Sequence, residues 1–444
     1  MRLDYVGCYS QAVKTPNLMK LCEDSEVYLD AIAPSSWTIP SHASFFTGQF
    51  VSRHGVHETQ ESKKWEEMHA KMKSYSGKTL AEALKELGYN TIGLTANSYV
   101  GPGTGFDRGF NHMAYNLGIT DYLYSKLNQE VIYPITKKFR GGRKEILKKT
   151  LSLRENPVEI ARLYMKYRHY LKRLYEEGFP FRKDGDYIVR TIKNSSFESP
   201  AFFFINFMEV HEPYMSLLKK YGANFRVFIR ALVGDLVFSE EDLINLRKDY
   251  LEESELLDSY IGELISYLKS QGEYDSSLII ITSDHGQALY EKGFFGHGVF
   301  LYDELVRVPL IIKYPAELNR KGYVKGYFNI KDLYKLIISL AKGEGVLDLR
   351  SQVTFSEAYG VHEEISGVVD LNKYRKRVEE VDSPRKAVFK DGMKLVLNLK
   401  SGKIEEFSVN GKNLDPKENK EKVKELLDEI YIFKGKEKMA EVAI

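Results

Sequence analysis

A short segment around Thr38 combines a hydroxyl side chain with the expected start of a helix. Pro40 suits the first helical position because proline lacks the N–H that would be unpaired there, and Gly48 suits the exit. The N-terminus of such a helix favours a phosphate or sulfate beside Thr38. Because the helix dipole contributes only about 0.3–2 kcal/mol, a metal ion or cationic side chains must add to it. An ordinary capped helix also explains this segment.

Acidic and imidazole side chains follow a predicted buried strand at Ser277–Thr282. Asp284 and His285 come directly after it, and a carboxylate beside an imidazole makes a ligand pair for a divalent metal ion. A turn aspartate with a packed histidine is the alternative. Lys292 and His297 follow in the same glycine-containing stretch, so acids and bases are concentrated here.

His211 stands just beyond another predicted strand, Ala201–Phe207. Ligands collect at the carboxyl ends of parallel strands, so this position favours a functional role, although a structural histidine explains it equally when taken singly. His42, His54 and His57 cluster after the candidate nucleophile and are weaker candidates one at a time.

The alternation of strands and helices predicts an α/β fold. Glu26–Ala33 and Asn90–Thr95 read as strands, with an amphipathic helix at Gly77–Leu87 between them. This order indicates a parallel sheet covered by helices on both faces.

The composition and the predicted secondary structure change twice after this region. At about 115–196 we expect a helical insertion rich in Lys, Arg and Tyr, either a solvated bundle or a basic cap over an anionic substrate. Short strands and a terminal helix follow later, so we expect a catalytic domain at 1–345 and a small α+β subdomain at 346–444.

The composition is that of an ordinary globular protein. The chain has 444 residues, more than one typical domain. Its 64 basic and 62 acidic residues nearly cancel, so bulk charge argues neither for nor against a nucleic-acid partner, and none is indicated. No apolar run approaches the roughly 20 residues that cross a bilayer. Two cysteines, Cys8 and Cys22, cannot build a disulfide framework, so we expect a reducing, cytoplasmic compartment.

Several short motifs occur in one order and together resemble the sulfatase family of the alkaline phosphatase superfamily. They are Gly7-Cys8-Tyr9, Thr15-Pro16-Asn17-Leu18, Thr38-x-Pro40-Ser41-His42, Thr47-Gly48, Ser283-Asp284-His285-Gly286 and Tyr302-Asp303-Glu304 followed by Arg307-Val308-Pro309. The resemblance covers most of the chain and is weakest in the expected insertion. It implies an α/β sandwich with a mostly parallel central sheet, a small C-terminal sheet subdomain, and hydrolysis of a sulfate or phosphate ester.

The residue at position 38 differs from that of the sulfatases and changes the expected nucleophile. Sulfatases place a cysteine, or in some members a serine, at this position and oxidise it to formylglycine, whereas this chain has Thr38. Oxidation of a secondary alcohol would give a ketone, so no formylglycine is expected. Related phosphodiesterases, phosphonate hydrolases and phosphoryl transferases include members with a threonine nucleophile that attacks phosphorus as a metal-bound alkoxide.

The resemblance assigns roles to the matching residues. Thr38, Asp284 and His285 match ligands of a divalent metal ion, with Ca, Mg, Mn and Zn all open as its identity. Ser41 and His42 are expected to bind substrate.

The remaining assignments concern the transferred group. His211 matches a histidine that contacts the substrate anion, although Glu209 and Val210 replace the usual Asp and Pro before it. His297, with Lys292 as its alternative, matches the residue that contacts the transferred group or protonates the leaving oxygen.

The start of the chain departs from the family pattern. Family members begin with a strand that ends in metal-binding acids, whereas this chain begins at Met1 with the residues that would follow that strand. We expect the true start to lie upstream, because a sheet without that strand would expose edges and apolar surface. With only Asp284, His285 and Thr38, the chain as given is expected to bind metal poorly.

One hypothesis and three alternatives follow. The hypothesis is a metal-dependent hydrolase that cleaves a phosphate (di)ester, phosphonate or sulfate ester through attack by Thr38. The alternatives are a sulfuric ester hydrolase without formylglycine, a phosphoryl-group transferase, and a non-catalytic protein that holds an anion or glycan. The expected partner is a small-molecule, glycan or lipid-head-group anionic ester, and the oligomeric state stays open.

Overall fold

The computed structural model describes residues 1–59, 65–115, 183–221, 224–361, 365 and 368–434, with a few single positions between 162 and 172. The expected helical insertion at about 115–196 falls largely outside these residues. Within its bounds the structure describes one end, which includes the helix Gly185–Lys193.

The elements alternate along the first part of the chain and become mainly strands after residue 350. The described helices are α1 (Pro16–Glu23), α2 (Thr38–Thr47), α3 (Val51–His54), α4 (Trp65–Lys73), α5 (Leu80–Glu86), α6 (Gly185–Lys193), α7 (Met215–Tyr221), α8 (Asn224–Leu232), α9 (Glu240–Ser270), α10 (Asp303–Val306), α11 (Leu333–Ala341), α12 (Arg375–Val381) and α13 (Lys420–Lys434). The described strands are β1 (Glu26–Ile32), β2 (Asn90–Thr95), β3 (His112–Tyr115), β4 (Ala201–Asn206), β5 (Ile279–Thr282), β6 (Ala288–Leu289), β7 (Phe295–Gly296), β8 (Leu310–Lys313), β9 (Gly322–Asn329), β10 (Val353–Tyr359), β11 (Pro384–Lys390), β12 (Met393–Asn398), β13 (Ile404–Val409) and β14 (Lys412–Asn413). None of these helices combines the length and apolarity that crossing a bilayer requires.

The strands form mixed, parallel and antiparallel sheets. One sheet has the order β5-β8-β1-β9, in which β1 and β9 are parallel and the other pairs are antiparallel. A second, of order β3-β2-β4, is parallel throughout. Strands β10 to β14 form an antiparallel sheet in sequence order, and β6 pairs with β7. The expected α/β fold is confirmed. In the sheet that carries β1 and β5, the strands β5, β1 and β9 run in the same direction and β8 alone runs in the opposite one.

Helices cover both faces of the mixed sheet. Successive side chains of a strand point to opposite faces, and β8 shows this directly. Leu310 and Ile312 pack in the core that contains Ile39 of α2 and Leu336 of α11, whereas Ile311 packs in the core of the opposite face. The sheet is therefore covered on both faces, and a site can form only at the ends of its strands.

Helix α2 begins earlier than the sequence predicts. It starts at Thr38, so Pro40 is its third residue and not its first. Gly48 ends the helix in the left-handed conformation, with φ 68°, and its N–H donates to the carbonyl of Ser44. Glycine adopts this conformation without steric cost, which explains why the predicted exit is correct.

The long helix α9 supports the sheet from one face. Ser239 caps it as predicted, because its side chain accepts from the Asp242 N–H while the Asp242 carboxylate accepts from the Ser239 N–H. Farther along, the Asp258 carboxylate accepts from the N–H groups of Asn17 and Leu18 at the start of α1. A carboxylate at a helix N-terminus is favourable, so α1 is fastened to α9.

Cys8 and Cys22 form a disulfide with an S–S distance of 2.05 Å. The bond joins the loop before α1 to the last turn of that helix. The two cysteines are therefore paired with each other, and the expected compartment stays a prediction.

The C-terminal sheet packs between the terminal helix and the rest of the protein. Its β11–β12 hairpin turns at Asp391 and Gly392, both with positive φ, as the sequence predicts. Leu395 packs toward α13, while its neighbour Val396 packs in a core shared with Val299. The domain boundary at 345/346 stays a prediction.

Candidate active site

Thr38 is the first residue of α2 and follows β1 by a short loop. Its side chain is almost fully buried, at 3% exposure. The hydroxyl oxygen lies 3.3 Å from His285 Nε2. The first N–H groups of a helix lack intrahelical partners, so Thr38 lies where an anion would be favourably held.

Asp284 and His285 follow β5 and lie together beside Thr38. The Asp284 Oδ2 atom is 3.4 Å from His285 Nε2. His285 Nδ1 lies 2.7 Å from the carbonyl oxygen of Gly286, which only accepts, so Nδ1 carries the proton and Nε2 the lone pair. The Thr38 hydroxyl therefore donates to Nε2.

Burial sets the protonation states of this pair. Desolvation lowers the pKa of His285 to about 4, because it disfavours the imidazolium form. Burial also opposes ionisation of Asp284, but nearby His285 and His42 hold the pKa of its carboxyl below the ordinary value. Near neutral pH the pair is a carboxylate beside a neutral imidazole, which are the states that bind a metal ion.

Ser41 and His42 fasten α2 to the ends of two strands. The Ser41 hydroxyl donates to the Asp284 carbonyl at 2.5 Å. His42 Nδ1 lies 3.0 Å from the Thr38 carbonyl, and its Nε2 lies 3.2 Å from Asn206 Nδ2 at the end of β4. These contacts position the first turn of α2, and the predicted role of both residues in substrate binding stays a prediction.

The other two predicted histidines form a group next to His285. The ring of His297 stacks on that of His285 with centroids 4.5 Å apart, and the ring of His211 meets His297 edge-on at 5.0 Å. His297 Nδ1 lies 2.9 Å from Gln287 Oε1, and Gln287 Nε2 donates to Glu212 Oε2 at 2.5 Å. The structure therefore brings His211 and His297 together with the pair beside Thr38.

Lys292 makes its contacts elsewhere. Its ammonium group pairs with Glu406 of β13 at 2.7 Å and lies 4.3 Å from the centre of the Tyr302 ring. The structure therefore places His297, and not Lys292, beside His285.

Three residues of the site were not among the predicted ones: Asn206, Glu212 and Gln287. Asn206 is the last residue of β4, and Glu212 and Gln287 are near neighbours of predicted histidines. Their positions at strand ends were the available signal, because polar residues there face the same edge of the sheet.

The predicted metal ligands fit a divalent ion by their chemistry and proximity. Thr38 Oγ1 and Asp284 Oδ2 lie 3.3 and 3.4 Å from His285 Nε2, so the three donors converge. A carboxylate, a neutral imidazole and a hydroxyl suit ions such as Zn or Mn. The Met1 amino group donates to Ser283 Oγ at 2.7 Å next to this set.

Comparison with known proteins places this site in a family. The sequence profile of the Sulfatase family matches residues 1–343. An uncharacterised sulfatase of Escherichia coli, YidJ, is 24% identical over 423 residues, which are 89% of this chain and 76% of that protein. An N-acetylglucosamine-6-O-sulfatase of Bacteroides thetaiotaomicron is 46% identical over 72 residues, but the match spans only 16% of this chain and 13% of that protein's length.

Solved structures share the fold at low sequence identity. A putative sulfatase from Bacteroides thetaiotaomicron superimposes with a TM-score of 0.63 at 15% identity, covering 99% of this chain and 92% of that chain. The phosphonate monoester hydrolase of Agrobacterium radiobacter gives a TM-score of 0.56 at 15% identity, covering 89% and 85%. Sulfatases generally use a divalent metal ion. With its ordered motifs, its fold and a profile match over most of its length, this chain belongs to the Sulfatase family of ester hydrolases.

Proposed function

We propose that this protein hydrolyses a phosphate diester, a phosphonate ester or a sulfate ester through attack by Thr38. The observation that carries the proposal is the 3.3 Å contact between Thr38 Oγ1 and His285 Nε2 at the start of α2. It places the hydroxyl beside a metal-ligand candidate and at the positive end of a helix, where an anionic ester is favoured.

Thr38, Asp284 and His285 would hold the metal ion. When bound, such an ion lowers the pKa of a hydroxyl ligand and offsets negative charge on the ester oxygens. Asp284 supplies the negative charge of the set, and the His285 Nδ1 bond to Gly286 keeps Nε2 directed at Thr38. His42 and Ser41 hold the first turn of α2 in place.

The proposed reaction has two steps. Thr38 Oγ1 forms a bond to phosphorus or sulfur while the bond to the leaving alcohol oxygen breaks. Water takes up the proton of the Thr38 hydroxyl and supplies a proton to the alcohol oxygen. Water then cleaves the threonine ester and restores the Thr38 hydroxyl.

The nature of the nucleophile favours phosphoryl over sulfuryl transfer. Thr38 cannot supply the aldehyde hydrate on which formylglycine sulfatases depend, and one structural neighbour is a phosphonate monoester hydrolase. A sulfuric ester hydrolase that uses Thr38 directly is the second candidate, supported by the family match. For either, the alcohol part of the substrate is a small molecule or a glycan.

The test compares Thr38→Ala with Thr47→Ala. Both threonines are buried in α2, but the Thr47 hydroxyl donates to the Ala43 carbonyl at the far end of the helix. Aryl phosphodiester, phosphonate, phosphomonoester and sulfate esters are assayed with Mn, Mg, Ca or Zn. Thr38→Ala should abolish turnover and Thr47→Ala should retain it; unchanged turnover in Thr38→Ala would exclude Thr38 as the nucleophile.

The substrate series separates the two candidates. Faster turnover of phosphodiester or phosphonate than of sulfate supports the phosphoryl preference. Sulfate turnover without phosphodiester turnover would contradict it while leaving Thr38 as the nucleophile.

A further inference from the structure

The turn that carries His211 is fixed by two buried side chains. The turn follows β4, and three of its consecutive carbonyl groups accept hydrogen bonds from these side chains. The Lys183 ammonium donates to the carbonyls of Glu209, at 2.5 Å, and of His211. The Tyr214 hydroxyl donates to the carbonyl between them, that of Val210, at 2.9 Å. The backbone from 209 to 211 is therefore held at every residue.

The three donors of Lys183 match three acceptors. Its side chain is only 8% exposed and lies just before α6. Besides the two carbonyls, the Glu253 carboxylate of α9 lies 3.4 Å from the ammonium, which has three N–H groups. Burial lowers the pKa of the Lys183 ammonium, and Glu253 opposes this shift. A buried ammonium is costly unless its donors are paired, so these acceptors keep Lys183 in one position.

A second hydrogen bond joins the same turn to the start of α6. The Gly185 N–H, two residues after Lys183, donates to Glu209 Oε1 at 2.9 Å. Residues 183–185 thus donate to the backbone of the turn through one side chain and to a side chain of the turn through the backbone. A change at Lys183 would therefore be transmitted to the backbone of the turn.

The backbone of the turn sets the direction of the His211 ring. His211 Nδ1 lies 2.7 Å from the carbonyl oxygen of Glu212, which only accepts, so Nδ1 carries a proton. In the neutral ring Nε2 then holds the lone pair and is the nitrogen left to meet a ligand. The ring meets His297 edge-on, and His297 stacks on His285 beside Thr38. Displacing the turn would therefore move the His211 ring within the site.

We propose that Lys183 is a positioning residue for hydrolysis at Thr38, because it holds the turn that presents His211 to the anionic group of the ester. Lys183 does not touch the reacting atoms and acts through the backbone of Glu209 and His211. The inference rests on the proposed function and adds a residue to which neither the ordered motifs nor the strand ends point. Misplacing a group at a site by about 1 Å can lower the rate about 100-fold, so a remote lysine can control turnover.

Lys313 offers a matched control at the other end of the sheet. It is the last residue of β8, and its buried ammonium donates to the carbonyls of Tyr274, Asp275 and Ser277, in the segment before β5. Burial also lowers the pKa of this ammonium. Lys313 thus makes the same kind of contact at the amino end of β5, whereas His285 follows its carboxyl end.

The first experiment is a double-mutant cycle in the full chain. Lys183→Met retains a long side chain without its donors, so kcat/KM for the ester turned over fastest should fall by about 10–100-fold. In the His211→Gln background the same change should lower kcat/KM by less than about 2-fold, because Lys183 acts through His211. Lys313→Met also removes a buried ammonium, but it should change kcat/KM by less than about 2-fold because it lies far from the site.

The second experiment needs no turnover and so separates this inference from the proposed function. NMR of protein with isotope-labelled histidine reports the shifts of the ring nitrogens, and His211→Gln assigns those of His211. In mildly alkaline buffer the two nitrogens of His211 should have well-separated shifts, because one tautomer is fixed. Lys183→Met should bring the two shifts together, as in a ring whose tautomers exchange, whereas Lys313→Met should leave them unchanged.

Each result decides the matter in one direction. An equal loss of kcat/KM in Lys183→Met and Lys313→Met would overturn the inference, as would an equal effect of Lys183→Met in the wild type and in His211→Gln. Unchanged His211 shifts in Lys183→Met would overturn it too. Absence of turnover in the wild type would contradict the proposed function, and the NMR comparison would then still decide whether Lys183 positions His211. If Lys183→Met does not fold, Lys183→Met/Glu253→Gln, which removes both charges of the buried pair, takes its place with the same expected results.

Discussion

The Thr38 hydroxyl oxygen lies 3.3 Å from His285 Nε2, although 247 positions separate the two residues in the chain. The sheet explains their meeting. Strands β1 and β5 are both antiparallel to β8, which lies between them, so β1 and β5 run in the same direction. Their carboxyl ends reach the same edge of the sheet, where Thr38 follows one strand and His285 the other.

Replacing Asp284 should weaken metal binding and turnover together. Asp284→Asn removes the negative charge of the Thr38 set, so we expect metal affinity to fall by more than about 10-fold, with kcat/KM falling at least as much. Calorimetry and steady-state kinetics at several metal concentrations measure both. Asp348→Asn, at an exposed carboxylate paired with Arg350, is the matched control. Full activity in Asp284→Asn would exclude this aspartate as a ligand.

Lys292 should be dispensable for catalysis. Its ammonium pairs with Glu406 on the C-terminal sheet, so Lys292→Met should change kcat/KM by no more than about 2-fold. Loss of the partly exposed ion pair should lower the free energy of unfolding by about 0.2–1 kcal/mol. His297→Gln, by contrast, should reduce turnover strongly. Loss of turnover in a folded Lys292→Met variant would restore the catalytic assignment of Lys292.

His54 should make stability fall in mild acid. Burial lowers the pKa of its imidazole to about 3, from an ordinary value of 6.5, and its Nδ1 accepts the Val56 N–H. The unfolded chain therefore takes up the proton first, so this contribution to stability is complete above about pH 6.5 and declines below it.

The size of this effect can be measured with one variant. The free energy of unfolding should fall by about 2 kcal/mol between about pH 7.5 and about pH 5 through His54 alone. Urea unfolding of the wild type and His54→Gln across this range measures the difference. If the free energy of unfolding changed with pH in the same way in the wild type and in His54→Gln, His54 would have the same pKa in the folded and unfolded states.

Gly286 should be required for the geometry of the site. A Cβ at this position would lie 2.0 Å from the Glu304 carbonyl oxygen, so the backbone after His285 would have to move. Gly286→Ala should lower the free energy of unfolding by about 1–3 kcal/mol and reduce turnover by displacing His285. Gly272→Ala, where a Cβ meets open space at φ 73°, is the control for backbone strain and should retain turnover. An equal loss of turnover in Gly286→Ala and Gly272→Ala would contradict the steric explanation.

The sequence by itself determined the elements whose signals are local. The strand Asn90–Thr95 has the predicted limits, Ser239 caps the long helix, and Asp391 and Gly392 turn the hairpin. Capping, alternation and turn chemistry involve residues only a few positions apart, so the chain displays them directly. The order of the motifs also identified the family, and it named Thr38 and Asp284 as site candidates.

Only the tertiary structure decided which side chains meet. Lys292 pairs with Glu406, which is 114 positions away in the chain. Gln287 donates a hydrogen bond to Glu212, which is 75 positions away. The tertiary structure also joined Cys8 to Cys22 and made the sheet around β1 mixed. These outcomes depend on strand order and on which strand ends share an edge. Spacing along the chain carries no such information, because contacts between distant residues follow from how the layers pack.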